Sequence, residues 1–464
     1  MKKLFLVLYL LSSAGLFAQL NPFLDYYDID KKDLKYAGKI IEKEVPIQEF
    51  PNPSPDAQWF TNNNLGLMMH WGPHTVLGAQ PSWDMVPMDA EWGGKVMPPE
   101  RYYEETLPVF DPQNYQPEKF LKAAKDAGFS YVVLTSKHHD GFALWPSKYG
   151  LSTRQYMGGR DLLKPYVEAC RKLGLKVGFY FSPRDWYYPV YPAPMQLKGL
   201  KERCSDQSAF FEDFFAYTIR QMRELLTQYG KIDMLWFDSF GLDNALDYHN
   251  EQVYAWIRSL QPGIILNDRY HDIPNPDNPG EWLSYGDFQT PFECHLPDYE
   301  PSGWWEDVEI WTNGRAGWGY DTKGDFKSWQ WFFTYFLTTR SMGGNFLLNA
   351  SPGPDGDMHP NYYPTTAKLA EWMRHSKESV MGTGPSPGRE ICNVLITSRP
   401  GIYYLHVLPE FSGDVSLRVD KKPGSVTMLR TGRALTYTYK SGVIRISIPD
   451  DIRTDMDDVI KVIL

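Results

Sequence analysis

Residues 131–142 read YVVLTSKHHDGF, a continuous apolar run that breaks into two histidines, an aspartate and a glycine. An apolar run of strand length without polar alternation is buried on both faces, as parallel strands are in α/β proteins. The same pattern recurs on either side. Leu65–Trp71, Lys176–Ser182, Asp233–Asp238 and Gly263–Asn267 are further runs of this kind, and Trp282–Gly286, Val308–Thr312 and Asn345–Asn349 follow them. Between them, Pro117–Ala127, Asp161–Leu173, Ser208–Gln228 and Phe326–Arg340 carry helical patterns; the first opens on Pro and Glu and stops at Gly128, the second stops at Gly174. About eight strands alternating with helices predict a distorted (β/α)8-type barrel, least regular between Asn267 and Thr312.

From about Pro385 the texture changes. Val394–Thr397, Ile402–Leu408, Val415–Val419, Val426–Leu429, Thr436–Tyr439 and Val443–Ile448 are short alternating segments separated by Gly, Pro, Ser and Asp. They predict a small C-terminal antiparallel β-sandwich. At the other end, Lys2 and Lys3 precede an apolar run from Leu4 to Leu11 and small residues up to Ala18. That is the pattern of a signal peptide, predicting export to the periplasm or the extracellular space. The expected organisation is a leader over 1–18, a barrel domain over 19–384 and a sandwich domain over 385–464. No later stretch reaches the ~20 apolar residues of a membrane-spanning helix.

Composition narrows the partners. A net charge of −10 argues against nucleic acid, whose phosphates call for a basic surface. Aromatic residues make up 15% of the chain, which suits stacking on sugar rings as well as a large aromatic core. The cysteines, Cys170, Cys204, Cys294 and Cys392, match no zinc spacing and read as buried thiols.

Barrels of this type place their sites at the C-terminal ends of the strands. Here those ends read His70-Trp71-Gly72, then Lys137 to Gly141, then Tyr180 to Ser182 with Asp185 and Trp186, then Trp236-Phe237-Asp238, then Asn267-Asp268-Arg269. One polar residue at a strand end is ordinary. Strand after strand ending this way is hard to explain by packing, because unpaired polar groups are costly to bury. Asp238 follows the buried run Met234–Phe237 and precedes Ser239 and Gly241, which puts its carboxylate at the barrel mouth. No metal or cofactor is expected: adjacent His138 and His139 point to opposite sides of an extended chain, and no His-x-x-x-His spacing supports them. Gly343–Gly356 lacks the Gly-Lys-Ser/Thr ending of a phosphate loop and reads as a final strand and its turn.

The runs Leu65–Gly72, Lys137–Trp145, Leu235–Asp238 and Gly343–Gly356 resemble the α-L-fucosidases of glycoside hydrolase family 29, over roughly residues 55–385. The resemblance implies hydrolysis of terminal α-L-fucose from oligosaccharides or glycoconjugates by retaining double displacement. That chemistry needs one carboxylate at the anomeric carbon and a second carboxyl roughly 5–5.5 Å away. Asp238 then becomes the nucleophile, with Asp140 and Asp185 in supporting positions. The family's Gly-Asp-x-x-Thr-Pro-Glu-like segment is matched by Gly286 to Glu293 with one extra residue, which points to Glu293 as acid/base. Glu309 is the alternative, and Glu306 reads as a solvated charge. An aromatic surround from Phe292 and the Trp residues between 304 and 318 is expected to favour the protonated acid.

Sugar-binding roles carried over by the resemblance fall on His70, His138, His139, Tyr180 and Trp236. Glu91 and Trp92 resemble a Glu-Trp pair, with Gly93 where the family has Tyr. Arg269 belongs beside the acid/base and Trp318 against the fucose methyl group. The long stretches 73–108 and 187–204 are expected to shape the aglycone side. Two other functions fit the same residues: a retaining hydrolase of a related sugar such as α-L-galactose, and a fucose-binding protein without catalysis. Nothing in the sequence sets linkage preference or oligomeric state.

Overall fold

Strands β1 (Leu65–Met69), β2 (Tyr131–Lys137), β3 (Lys176–Phe181), β4 (Met234–Phe237), β5 (Ile265–Leu266), β6 (Gln289–Glu293), β7 (Trp305–Ile310) and β8 (Asn345–Asn349) form one parallel 8-stranded sheet. Its order is β5-β4-β3-β2-β1-β8-β7-β6, and the sheet curls until its edges meet at a bridge between Asn267 and Phe288. The computed structural model describes residues 51–62, 65–85, 97–188, 207–238, 250–270, 273–274, 282–283, 285–386, 388 and 390–464. The expected leader over 1–18 lies outside them.

The seam where the barrel closes has a specific construction. A Cβ on Gly286 would fall 2.6 Å from the Asn267 carbonyl carbon, so glycine is what lets the two edges touch. Asp287 then ties the seam together. Its carboxylate accepts from the Leu266 and Asn52 backbone N–H groups at 2.8 Å each and from Arg258 at 2.6 Å.

Strand alternation sorts the apolar residues into two layers. Met68, Tyr131, Val133, Met234, Trp236, Val308 and Leu347 fill the barrel interior. Leu67, Val132, Leu134, Phe179, Leu235, Phe346 and Leu348 face outward, towards the helices. Those helices are α1 (Pro99–Thr106), α2 (Pro117–Asp126), α3 (Leu163–Leu173), α4 (Gln207–Gln228), α5 (Asn250–Leu260), α6 (Trp329–Ser341) and α7 (Tyr362–Ser376). Their ends follow local chemistry. Helix α3 begins where Asp161 accepts from the Leu163 and Lys164 N–H groups and ends at Gly174, whose φ is 65°.

Two strand expectations are corrected. Trp282–Leu283 is not a barrel strand; it pairs antiparallel with Ile273–Pro274 in a separate ribbon, and β6 takes the sixth place. The run QTPFE hides β6 from a hydrophobicity reading, because its polar residues alternate with apolar ones and Pro291 cannot donate to the ladder. Likewise β7 begins at Trp305, ahead of the expected Val308.

After α7 the chain forms antiparallel strands β9 (Leu395–Arg399), β10 (Ile402–Val407), β11 (Val415–Arg418), β12 (Ser425–Met428), β13 (Tyr437–Lys440), β14 (Val443–Ile446) and β15 (Asp458–Ile463). One sheet runs β9-β10-β15-β12 and the other β11-β14-β13, with Leu405, Val415, Leu417, Ile444 and Ile460 buried between them. Strand β15, absent from the expected segments, is central to its sheet. The barrel is fastened here by Trp372, whose indole N–H donates to the Asp457 carbonyl at 2.7 Å. Cys170 and Cys392 are buried thiols; Cys294 is exposed, contrary to expectation, because it sits in a positive-φ turn (59°) just past β6. No helix among the described residues is long and apolar enough to cross a membrane.

Glu306 is the clearest departure from the sequence reading. It is fully buried, accepting from the Tyr131 hydroxyl and from the Trp236 indole at 3.1 Å. Alternation on β7 turns it into the barrel rather than towards solvent. Burial pushes its carboxyl up to about 8, despite those two donors. The folded state therefore holds a proton that the unfolded chain releases above about pH 4.3, so rising pH drains stability until about 8. The loss from this one group is on the order of 5 kcal/mol. Melting temperatures measured from about pH 5 to about pH 9 are expected to fall, with a shallower slope in Glu306→Gln. An identical slope in the variant would exclude Glu306 as its source.

Candidate active site

A cavity of about 370 Å³ opens at the C-terminal ends of the barrel strands. Its walls include His70, His138, His139, Tyr180, Trp236, Asp238, Arg269, Glu293 and Trp318, so nine residues singled out in the sequence share one pocket. Glu91 and Trp92 lie outside the described residues, as do 86–96 and 189–204 of the loops expected to shape the aglycone side.

Asp238 sits one residue past β4 with its side chain 22% exposed to the pocket. The Tyr180 hydroxyl donates to Oδ2 at 2.6 Å, His139 Nε2 lies 3.5 Å from the same oxygen, and Arg269 Nη1 is 3.9 Å from Oδ1. Burial alone would push this carboxyl up. His139, Arg269, the Tyr180 hydrogen bond and Arg184 outweigh it and hold the group below the ordinary aspartate range. Burial also drives His139 down to about 3, leaving it neutral at ordinary pH. The sustained pull on Asp238 therefore comes from the two arginines and the tyrosine.

Arg269 is shared. The nitrogen that approaches Asp238 also donates to Glu293 Oε2 at 2.6 Å. Glu293 ends β6, and Arg269 is steered to it by Thr290, whose hydroxyl meets Arg269 Nε at 2.5 Å and Asp268 Oδ1 at 3.1 Å. Adding the two contacts through the common nitrogen bounds the carboxylate separation at about 6.5 Å, which spans the ~5–5.5 Å of retaining enzymes and reaches the ~6.5–9.5 Å of inverting ones only at its limit.

Glu309 is not brought into the pocket. Val308 faces the cavity, so its neighbour Glu309 turns to the outside of the barrel, where Asp307, Lys327 and, more weakly, Glu293 are the charges that act on it. Burial raises its carboxyl to about 8, without any access to the site. The aromatic enclosure expected around Glu293 is also not found. Its side chain is 39% exposed and bonded to a guanidinium, because β6 is the edge strand at the seam.

The pocket floor is a row of parallel rings. His138 stacks on Tyr180 at 5.4 Å and 10°, Tyr180 on Trp236 at 5.5 Å and 14°, and the Arg269 guanidinium lies 4.8 Å over Trp236. His138 and His139 line the same cavity, against the expectation that they diverge. The register slips between Thr135 and Lys137, and the chain turns at Gly141, so the pair is not extended. With Asp238 they present ligand atoms within 4.8 Å of one another, a spacing that would admit a cation. The positive charge of Arg269 and Arg184 beside that spot opposes one.

Each histidine is fixed from behind. His70 Nδ1 bonds Asn349 Oδ1 at 2.8 Å; that amide spends its N–H on the Trp318 carbonyl, so His70 donates there and keeps Nε2 as an acceptor. Ser82 Oγ accepts from the Asp140 N–H and meets His138 Nδ1 at 2.6 Å, which holds the ring with Nε2 towards the cavity. Burial keeps both rings neutral, His70 at about 4 and His138 well below its ordinary value. Two neutral imidazoles with a free ring nitrogen each suit the hydroxyls of a sugar, which both donate and accept.

Ser82 performs this in a left-handed conformation, φ 65°, which costs a non-glycine residue about 1–3 kcal/mol and persists where its surroundings demand it. Gln80, Trp83 and Arg184, which line the pocket, and Ser82 behind His138 are residues that the sequence does not single out. All lie on loops leaving β1 and β3, and position after a strand end is the one signal that points to them. Asp140 and Asp185 support from outside the cavity: Tyr102 donates to Asp140 at 3.0 Å, and Tyr217 to Asp185 at 2.6 Å. Lys137, rather than the neighbouring Arg184, is the cation nearest Asp185, at 3.9 Å.

Known proteins share this arrangement of elements. The family model described as Alpha-L-fucosidase matches residues 44–378. Tissue alpha-L-fucosidase of Mus musculus is 26% identical over 423 residues, covering 85% of this chain and 88% of its own. Alpha-L-fucosidase isoenzyme 1 from Paenibacillus thiaminolyticus has a TM-score of 0.74 at 27% identity, covering 88% of this chain and 99% of its own. A family 29 alpha-L-fucosidase from Bacteroides thetaiotaomicron, solved as a trapped covalent intermediate, has a TM-score of 0.75 at 24% identity, covering 90% and 99%. The family match runs from before β1 to the end of α7, through every strand of the barrel, and the chain therefore belongs to the alpha-L-fucosidase family.

Proposed function

We propose that this protein is an exo-acting retaining α-L-fucosidase that releases terminal α-L-fucose from oligosaccharides or glycoconjugates. Asp238 is its nucleophile and Glu293 its acid and then base. The observation that carries the assignment is the single Arg269 nitrogen held between two pocket-facing carboxylates. In the first step Asp238 attacks the anomeric carbon while Glu293 protonates the departing oxygen; in the second Glu293 takes a proton from water, which displaces Asp238. Both steps use the chain's own carboxyls and call for no cofactor. Once Asp238 is esterified, Arg269 has one carboxylate left to serve, and it stays aligned with the water.

The sugar preference has support in the wall chemistry. Trp318, Met68 and Val308 give an apolar surface suited to a methyl group, whereas an α-L-galactoside would bring a hydroxyl needing a partner. Export to the periplasm or extracellular space belongs to the same proposal, supported by the charged-then-apolar pattern of residues 1–18. Hydrolysis of nitrophenyl α-L-fucoside with α-L-fucose as the first-formed anomer is the expected result. Fucose binding without release would leave a lectin instead.

The depressed carboxyl of Asp238 sets the acid side of the pH profile. The nucleophile must be ionised, and it remains so until the pH drops below the ordinary aspartate value of about 3.9. An acid limb of kcat/KM below that value is expected, and Tyr180→Phe, which removes the hydroxyl bonded to Oδ2, should move the limb upward. A limb unaffected by Tyr180→Phe would belong to some other group.

A further inference from the structure

Among the described residues, the arginines buried in this barrel have partners, with one exception. Arg258 meets Asp287 at 2.6 Å, Arg269 meets Glu293 at 2.6 Å, and Arg340 donates to backbone carbonyls. Arg184 lines the active-site cavity and is nine-tenths buried, yet its Nε is enclosed without a hydrogen-bond partner. Among the described residues its guanidinium forms no ion pair, hydrogen bond or ring stack. The backbone around it is firmly held. The Arg184 carbonyl accepts from Lys137 Nζ at 3.1 Å and from Ser182 Oγ at 3.3 Å, and Pro183 precedes it. The main chain is fixed, and the charged group is left facing the pocket.

An enclosed cation with no anion in direct contact among the described residues is costly, and guanidinium is the group best shaped to hold two oxygens of a sulfate or carboxylate side by side. Asp238 does not fill that role, because no oxygen of it lies within ion-pair distance and it is already served by Tyr180 and Arg269. We propose that Arg184 is an anion-recognising residue of the pocket, and that the preferred substrates are fucosides bearing a sulfate or carboxylate group close to the scissile bond. The inference rests on the fucosidase reading and narrows its substrate class. The anion sits either on the fucose ring or on the adjoining sugar, and both place the same charged oxygens before Arg184.

The test compares kcat/KM for a neutral fucosylated disaccharide, the same disaccharide sulfated on fucose, and the same disaccharide with a sulfate or carboxylate on the adjoining sugar. Wild-type enzyme is expected to favour one anionic form over the neutral one by roughly 10- to 100-fold. Arg184→Gln should bring that ratio close to one, and Arg184→Lys should leave it in between, since the charge remains but the fork is lost. Calorimetric titration of the same sugars reads the preference without turnover. An enzyme that binds and prefers the anionic sugars but releases no fucose would sink the fucosidase reading and keep this one. No preference in the wild type would overturn the proposal, as would a ratio surviving Arg184→Gln. So would equal losses on all three substrates, which would mean that Arg184 acts only through its field on Asp238.

Discussion

Replacing Asp238 with glycine is expected to lower turnover of nitrophenyl α-L-fucoside by at least about 10⁴-fold while the fold survives. The size of the effect follows from the lack of a substitute. Asp140 and Asp185 lie outside the cavity, bonded to Tyr102 and Tyr217. Glu293 remains paired with Arg269 on the other side of the site. No other pocket carboxylate is left among the described residues to reach the anomeric carbon from the Asp238 side. Because the leaving group of this substrate needs no proton, the loss reports the nucleophile alone. The variant leaves a hole lined by the Tyr180 hydroxyl and Arg269, a donor and a cation that suit a small anion. Azide placed there attacks the α-fucoside directly and inverts it, so rescue should yield β-L-fucosyl azide. Substantial turnover without azide would remove Asp238 from the nucleophile's place.

Part of this site is legible in the amino-acid sequence and part is not, and the difference has physical causes. Strands β1 to β4 are buried on both faces, so their sequences are continuous apolar runs and the polar residues that end them stand out; His70, Tyr180, Trp236 and Asp238 are visible for that reason. Strand β6 is an edge strand with one solvent-facing side and an internal proline, so QTPFE does not resemble a buried strand. Only the family resemblance leads to Glu293. Glu306 reads wrongly as a solvated charge for a related reason. Its role depends on which way β7 faces, and a strand's register is not printed in its composition. The divergence expected of His138 and His139 assumes a regular extended chain, and a slip of register undoes it. Ser82 and Arg184 leave no sequence signal of their own. A serine held at φ 65° or an arginine whose Nε has no partner among the described residues is defined by its neighbours, and those neighbours are far away in sequence.

The acid/base assignment invites the second large effect, a split between substrates. Glu293→Ala should retain most of kcat/KM on nitrophenyl α-L-fucoside but lose about 10²- to 10⁴-fold on fucosylated trisaccharides. A nitrophenolate departs unaided, whereas a sugar alkoxide needs the proton that Glu293 supplies. The second step suffers with either substrate, because water then lacks its base, so the fucosyl-enzyme accumulates and kcat on the aryl substrate falls together with KM. Azide needs no base and should restore that kcat. It attacks an intermediate already inverted once, so the product here is α-L-fucosyl azide, the opposite anomer from the Asp238→Gly reaction. The two variants thus identify their own roles by stereochemistry, independently of rate. Glu309→Ala serves as the comparison: its carboxyl faces Lys327 outside the barrel, so it should change stability and its pH dependence while leaving the substrate ratio intact. A substrate split and α-azide from Glu309→Ala, with neither from Glu293→Ala, would reverse the assignment. It would also require β7 to turn by one residue, exchanging Val308 for Glu309 at the cavity wall, which the burial of Glu306 beneath Trp236 opposes.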